Sequence, residues 1–125
     1  MRRSTRHYLV AVAAVSGGLW LRRWWPLTRV EVVGDSMLPA LAPGDRLVVV
    51  AGRAAVGEIV AVTDPRTPAR TLVKRVAAQG PEGVTVLGDN PAASTDSRIL
   101  GPVAAGAIRG RAVYRYSPES RRGRL

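Results

Sequence analysis

Residues 57–63, Gly-Glu-Ile-Val-Ala-Val-Thr, and residues 71–78, Thr-Leu-Val-Lys-Arg-Val-Ala-Ala, carry the clearest structural signal in this chain. Both runs are short and rich in β-branched residues, a composition that favours strands. Similar runs, separated by turn signals such as Asp64-Pro65, are found elsewhere in the chain. No stretch after residue 30 has a convincing helical period. The sequence therefore predicts a small, mainly β domain with strands at residues 30–33, 46–51, 57–63, 71–78, 83–87 and 108–116.

The composition restricts the chemistry that this domain can perform. The chain has 125 residues, 46% of them hydrophobic, which is enough for one domain with a real core. It has no cysteine, which excludes disulfides, thiol nucleophiles and Cys-ligated metals. Its one histidine, His7, lies in a basic leader, which disfavours a Ser-His-Asp triad and a His-ligated zinc site. We predict no metal and no cofactor, and any acid–base chemistry falls to carboxylates, tyrosine or lysine.

An apolar run at residues 8–21, flanked by arginines, precedes the β domain. As a helix it spans about 21 Å, less than the roughly 30 Å of a bilayer core. A membrane anchor is the preferred interpretation, and a cleaved signal peptide and a helix lying on a surface stay open. The predicted organisation is a basic and apolar segment at 1–29, a catalytic domain at 30–116 and a disordered basic tail at 117–125. The expected location is the cell membrane, with the side undetermined and a cytoplasmic location as the alternative.

The net charge of +10 is concentrated at the two ends of the chain. Basic ends beside an apolar run suit an anionic membrane surface at least as well as a nucleic acid. A nucleic-acid-binding β module is expected to display aromatic residues on its strands, and only Tyr114 and Tyr116 are available after residue 30. We therefore predict no nucleic-acid partner and keep a basic, non-catalytic binding module as an alternative.

Lys74 is the only lysine among 19 basic residues. Arginine stays charged in proteins, whereas a buried lysine loses its proton more easily. On a strand, Lys74 shares a face with Leu72 and Val76, and Arg75 points to the other face. If the Lys74 face is the core face, the lysine is a competent general base near neutral pH. The alternative is a solvated lysine on an edge strand.

Two polar segments complete the set of candidate residues. Residues 31–45 contain Gly34, Ser36, Pro39 and Pro43-Gly44, a pattern typical of a rigid loop that presents the serine. We expect Gly34 to let another backbone segment approach closely. Residues 88–98 form a loop dense in hydrogen-bonding side chains, which could orient an amine and brace a site with an Asp–Arg pair. Each segment alone could equally be an ordinary surface turn.

Taken together, Gly-Asp-Ser-Met-Leu-Pro (34–39), Leu-Val-Lys-Arg-Val (72–76) and Gly-Asp-Asn-Pro-Ala-Ala-Ser-Thr-Asp-Ser-Arg (88–98) resemble the signal peptidase I family of Ser/Lys proteases. The resemblance covers roughly residues 30–104, and its three boxes occur in the family's order. It implies a signal-peptidase-like catalytic domain in which Ser36 is the nucleophile, Lys74 the general base and Ser94 the residue that orients the lysine. It also implies four residues that brace the site, namely Asp89, Asp96, Arg75 and Arg98.

The resemblance has two departures. Some members of the family have a serine two residues before the nucleophile as a second oxyanion donor, where this chain has Gly34. Many have a basic residue where this chain has Pro91. The source of a second oxyanion donor is therefore undetermined.

The chain is compact, and in this it looks most like the relatives described as nickel-type superoxide dismutase maturation proteases. The implied function is a serine endopeptidase that removes an N-terminal propeptide or leader from a precursor protein, which would be its partner. The alternative within the family is a general signal peptidase that cleaves secretory leaders.

Overall fold

The computed structural model describes residues 27–125, which form an antiparallel sheet with little helix. The predicted mainly β class is thereby confirmed. The predicted apolar helix and anchor at residues 8–21 lie outside the described residues. The strands are β1 (Leu27–Glu31), β2 (Arg46–Val50), β3 (Ile59–Thr63), β4 (Thr71–Gly80), β5 (Gly83–Leu87), β6 (Ile108–Ser117) and β7 (Gly123–Arg124).

The strand order explains why residues 59–62 are apolar at every position. Neighbours in the sheet follow the order β1-β2-β6-β3-β4-β5, and β7 pairs with β6. β3 thus lies between β6 and β4, and its residues from Ile59 to Val62 are all buried. Because both faces of this strand are covered, its sequence is apolar at consecutive positions instead of alternating.

Two strand segments that matter for the site have an unpaired side among the described residues. β1 pairs only with β2. β4 pairs with β3 along residues 71–75, but β5 joins its other side only from Arg75 onward. The backbone of residues 71–74 therefore has no strand neighbour on one side.

The hydrophobic interior is divided into two clusters that β3 joins, because alternate residues of this strand contribute to each. The first cluster also holds Met37 and Leu41 from the loop after β1, both with no exposed surface. The second covers the β4–β5 end of the sheet. Its buried members are Val60, Val62, Leu72, Val76, Val84, Val86 and Val103.

The helices are short and lie in the connections. The α-helix α1 (Ser97–Leu100) begins after Asp96, whose carboxylate accepts a hydrogen bond from the Arg98 backbone N–H at 3.0 Å. Single 3₁₀ turns occupy Pro91–Ala93, Ala105–Ala107 and Glu119–Arg121. Elements of three or four residues are too short to leave a periodic pattern, which is why the sequence did not reveal them.

The prediction of a disordered tail at 117–125 is wrong. β6 continues to Ser117, a 3₁₀ turn follows, and β7 returns antiparallel to β6 with Arg124 opposite Tyr114. The polar, basic composition of the tail misled the prediction, because its order comes from strand pairing and ion pairs and not from burial of apolar side chains.

No helix within residues 27–125 has the length and apolar character needed to cross a membrane.

Candidate active site

A cleft of about 140 Å³ separates the loop after β1 from the first half of β4. One wall includes Glu31 and residues 33–36, and the other includes residues 71–74. Ser36 and Lys74 line the same cleft although they are far apart in the sequence. The fold thus brings together the predicted nucleophile and the predicted base.

The loop that carries Ser36 is fixed at both sides of the serine. Its base is closed by hydrogen bonds from the Val32 N–H to the Asp45 carbonyl and from the Gly44 N–H to the Val32 carbonyl, both 2.8 Å long. Immediately after the serine, the buried side chains of Met37 and Leu41 anchor the loop in the core. Ser36 itself is half-buried.

Gly34 has a different role from the one its sequence context suggested. We predicted that it allows a close backbone approach, but a Cβ atom at this position would meet nothing within 4 Å. Its φ of +80° is a left-handed conformation that favours glycine. Gly34 therefore permits the turn that precedes Ser36.

Lys74 lies on the core face of β4 and is only 3% exposed, which decides between the two alternatives that the sequence left open. Burial lowers the pKa of its amine, and the charges of Arg70 and Arg98 lower it further, whereas the nearby Asp96 carboxylate raises it. The net effect is a pKa below the ordinary value for lysine. The alternative of a solvated edge lysine is excluded.

A short chain of hydrogen bonds holds the amine. Lys74 Nζ donates to Ser94 Oγ at 3.2 Å, and Ser94 Oγ donates to Asp96 Oδ2 at 2.6 Å. Asp96 is fully buried and also accepts hydrogen bonds from the Gly88 backbone N–H and from Arg98. Burial alone would raise the pKa of Asp96, but the hydrogen bonds from Arg98, Ser94 and Gly88 outweigh it and hold the pKa well below the usual range.

Gly88 is a site residue that the sequence analysis did not single out. A Cβ atom at this position would lie 2.2 Å from Ser94 Oγ and 2.7 Å from the Ser36 carbonyl oxygen. Only glycine therefore fits between the Ser94 side chain and the backbone of the loop that carries Ser36. Its place after the β5 run was the available signal.

Asn90 is a second residue that was missed, and it joins the two polar segments. Its backbone N–H donates to the Ser36 carbonyl at 2.8 Å, and its side-chain amide donates to the Asp35 carbonyl at 3.1 Å. These bonds hold the two peptide groups that flank Ser36. The sequence placed Asn90 in a polar loop but gave no indication of its partner 54 positions away.

The remaining predicted brace, Arg75 with Asp89, lies on the opposite side of β4 from the amine. Arg75 Nε and Nη2 donate to the two Asp89 oxygens at 2.9 and 2.8 Å. The hydrogen bonds with Asp89 raise the pKa of Arg75. This bidentate pair links β4 to the start of the polar segment at 88–98.

The wall formed by the β3–β4 connection adds positive charge to the cleft. Arg66 and Arg70 both line the cleft. The buried Asp64 carboxylate accepts hydrogen bonds from the Arg66 backbone N–H at 2.9 Å and from the Arg66 guanidinium at 3.2 Å. These hydrogen bonds keep the pKa of Asp64 low. The sequence predicted none of these three residues. Arginine in a turn is typical of an ordinary solvated surface, so its residue type did not indicate a cleft.

Comparison with known proteins found a matching family and a relative. A model of the family described as signal peptidase, peptidase S26, matches residues 2–86 and 80–117. The mitochondrial ATP-independent inner membrane protease subunit 1a of Arabidopsis thaliana is 34% identical to this chain over 129 aligned residues, which cover 79% of this chain and 76% of that protein. The residues that match the family model include all three boxes, at 34–39, 72–76 and 88–98.

Proposed function

The chain belongs to the signal peptidase family, peptidase S26, and we propose that it is a serine endopeptidase in which Ser36 and Lys74 form the catalytic dyad. Family membership implies a peptidase that acts on proteins in association with a membrane. The observation that supports the dyad is the burial of the Lys74 amine, held by Ser94, in the cleft that Ser36 lines. A lysine that served only to supply surface charge would not need this arrangement.

The proposed reaction uses the lowered pKa of Lys74. The neutral amine accepts the Ser36 hydroxyl proton as Oγ attacks the scissile carbonyl. The tetrahedral intermediate collapses, the C–N bond breaks, and the lysine ammonium gives its proton to the leaving amine. Lys74 then takes a proton from the water that attacks the acyl carbonyl. As the bond from the acyl carbon to Ser36 Oγ breaks, the ammonium returns this proton to Oγ, which releases the acid product and restores the free serine and the neutral amine.

The proposed oxyanion donor is the Ser36 backbone N–H. Within residues 27–125 this N–H donates to no other group, and the hydrogen bonds from Asn90 fix the adjoining backbone. Pre-positioned donors of this kind stabilise the negative charge that develops on the substrate oxygen. Gly34 offers no side-chain donor, so the second donor stays unassigned.

We place the substrate as an extended strand between the two walls of the cleft. In the antiparallel register of β3 and β4, the N–H and C=O groups of Thr71 and Val73 point away from β3. Glu31 and Val33 present their backbone to the cleft in the same way, because Val32 bonds to the β2 side. A peptide can therefore add to both free edges by main-chain hydrogen bonds.

We propose that the physiological substrate is a precursor with a short propeptide, of the kind that nickel-type superoxide dismutase maturation proteases process. The support is the compact domain, in which a cleft of about 140 Å³ suits small side chains next to the cut. A general signal peptidase acting on secretory leaders is the second candidate, favoured by family membership itself. Comparing kcat/KM for the two precursors with the detergent-solubilised enzyme distinguishes them. Preference for the secretory leader, with no cut in the superoxide dismutase precursor, would overturn this choice.

We also propose that residues 8–21 hold the enzyme at the membrane. Deletion of residues 1–27 is expected to release the protein from the membrane. The Ser36 site should keep its reactivity, because all three boxes follow β1. Membrane fractionation with and without salt checks this. Full-length protein in the soluble fraction would contradict it, and release by salt alone would indicate a surface-adsorbed helix.

Acylation tests the dyad itself. The nitrophenyl ester of an N-acetylated alanine peptide should add one acyl group to the protein, and fragmentation of acid-quenched samples should place it on Ser36. Ser36→Ala should lose the adduct and keep its melting temperature. An adduct on another residue, or an unchanged adduct in Ser36→Ala, would exclude Ser36 as the nucleophile.

A further inference from the structure

We propose that residues 117–125, here called the C-terminal strap, position the Ser36 loop through an ion-pair cluster of Asp45 with Arg115 and Arg121. The strap is thus a working part of the peptidase and not a trailing end. The proposal deepens the proposed function, since it assumes that Ser36 is the nucleophile.

Asp45 is the centre of the cluster and belongs to the base of the nucleophile loop. Its carboxylate is 1% exposed. Asp45 Oδ2 accepts a hydrogen bond from the Ala42 N–H at 2.9 Å and one from Arg115 at 3.1 Å, and Asp45 Oδ1 accepts one from Arg121 at 3.2 Å. A buried carboxylate needs such partners, and removal of one leaves charge poorly compensated.

Arg115 connects the loop to the strap. From β6, its Nη1 donates to the Ala40 carbonyl as well as to Asp45, so it holds the loop backbone four residues after Ser36. Its Nε donates to the Arg121 carbonyl. One guanidinium therefore bonds to the loop on one side and to the strap on the other, and its planar fork fixes their relative positions.

The strap is attached to the sheet at several points. β7 pairs with β6, with Gly123 opposite Arg115, and the Leu125 N–H donates to the Val113 carbonyl at 3.2 Å. These bonds deliver the Arg121 guanidinium to Asp45 from outside the loop. No strap residue lines the cleft, so the strap can influence catalysis only through the loop.

This arrangement predicts an effect on the rate of bond formation and not on substrate affinity. A nucleophile displaced by a fraction of an ångström loses reactivity, and a displacement of about 1 Å costs on the order of a hundredfold. The β4 wall proposed to bind the peptide forms no hydrogen bond with the side chains of Asp45, Arg115 and Arg121. The Glu31 wall is held through the backbone bonds of Val32 to Asp45 and Gly44, which do not involve those side chains. Loosening the strap should therefore lower the acylation rate constant and leave half-saturation almost unchanged.

The matched pair of variants is Arg121→Met and Arg122→Met in the full-length protein. Arg122 is the neighbour of Arg121. Within residues 27–125 it pairs only with Glu119, which is 92% exposed, at 4.0 Å. With the nitrophenyl ester of an N-acetylated alanine peptide as the probe, Arg121→Met should lower the acylation rate constant about tenfold, with half-saturation within about twofold of wild type. Arg122→Met should match wild type, and Arg121→Lys should recover part of the loss by restoring the cation.

Each outcome is decisive. Equal acylation rate constants for wild type and Arg121→Met would overturn the strap proposal, as would an equal loss in Arg122→Met. If Arg121→Met does not fold, Arg121→Lys decides: a rate constant below wild type supports the proposal and an unchanged one overturns it. No acylation of the wild type would instead overturn the proposed function, so the two failures are distinguishable.

Discussion

Asp96 and Asp45 are both buried carboxylates, 0% and 1% exposed, and both are paired with arginine. Their remaining partners differ. Asp96 bonds to Ser94, which holds the Lys74 amine, whereas Asp45 bonds to the backbone of the nucleophile loop. We infer that Asp96 acts on the protonation of Lys74 and that Asp45 acts on the position of the Ser36 loop. In this proposal, the third group that a buried Asp–Arg pair contacts decides its role.

The largest effect is expected at Lys74, which connects to Asp96 through Ser94 and has no counterpart beside Asp45. Lys74→Arg keeps the positive charge but removes the base, since arginine does not deprotonate, and activity should fall by about a thousandfold or more. Lys74→Met should be as inactive. Steady-state hydrolysis by purified variants, with thermal melts to establish folding, measures this. Substantial activity in Lys74→Arg would show that charge and not proton transfer is needed.

The next effect concerns stability. Asp96→Asn leaves Arg98 without its anion, but Arg98 is 40% exposed, so the expected loss in the free energy of unfolding is roughly 2 kcal/mol. The pKa of Asp96 is depressed in the folded state. Its stabilisation is therefore complete above the pKa of the unfolded chain, about 4, and is lost as the pH falls below it.

Urea titrations of wild type and Asp96→Asn at several pH values test this sign. The difference between the two proteins should be greatest near neutral pH and shrink in acid. A difference that grew as the pH fell would contradict the proposed charge state. Asp45→Asn is the companion variant, and it should also lose stability because it breaks the pairs with Arg115 and Arg121.

Ser94→Ala separates orientation from stability. The lysine amine loses its partner, so the rate should fall by about ten- to a hundredfold, while the free energy of unfolding changes by only about 1 kcal/mol. Asp96→Ala should be the less stable of the two variants, because it also leaves Arg98 and the Gly88 N–H without their acceptor. Thermal melts give the ranking, and the reverse order would show that the two roles are exchanged.

The smallest effects should appear in the pH dependence of the rate. Arg70 lowers the pKa of Lys74 and Asp96 raises it. Arg70→Ala should therefore move the rising limb of kcat against pH to higher pH, and Asp96→Asn should move it to lower pH. Asp45→Asn and Arg66→Ala should leave the limb in place. A shift of the same sign in all four variants would refute the distinction between the two carboxylates.

The sequence predicted the parts of the molecule that depend on local pattern. Every predicted strand exists. The strand at 83–87 has its predicted ends, and the others are displaced at one or both ends, most of all the first, with β1 at Leu27–Glu31 in place of 30–33. Alternation along β4 placed Lys74 on the face of Leu72 and Val76 and left open whether that face is buried, which the structure shows. The two expected Asp–Arg ion pairs are present. The catalytic and bracing roles of these residues stay predictions.

The features that escaped prediction depend on contacts between distant segments. Gly88 is required because the Ser94 side chain and the Ser36 carbonyl approach it closely, and Asn90 matters because its N–H donates to the same carbonyl. The order of residues 117–125 depends on Asp45, more than 70 positions earlier. Residue type and spacing carry little information about such partners, because the sheet topology decides which segments meet.

The most direct measurement uses the fact that Lys74 is the only lysine in the chain. Protein labelled with ¹³C at lysine Cε gives one lysine resonance, and its shift against pH reports the pKa of the Lys74 amine without assignment. We expect the Lys74 titration to have its midpoint clearly below the ordinary lysine value of about 10.4. The rising limb of the Ser36 acylation rate against pH should have the same midpoint. A resonance that titrates at the ordinary value, in folded and active protein, would contradict Lys74 as the general base.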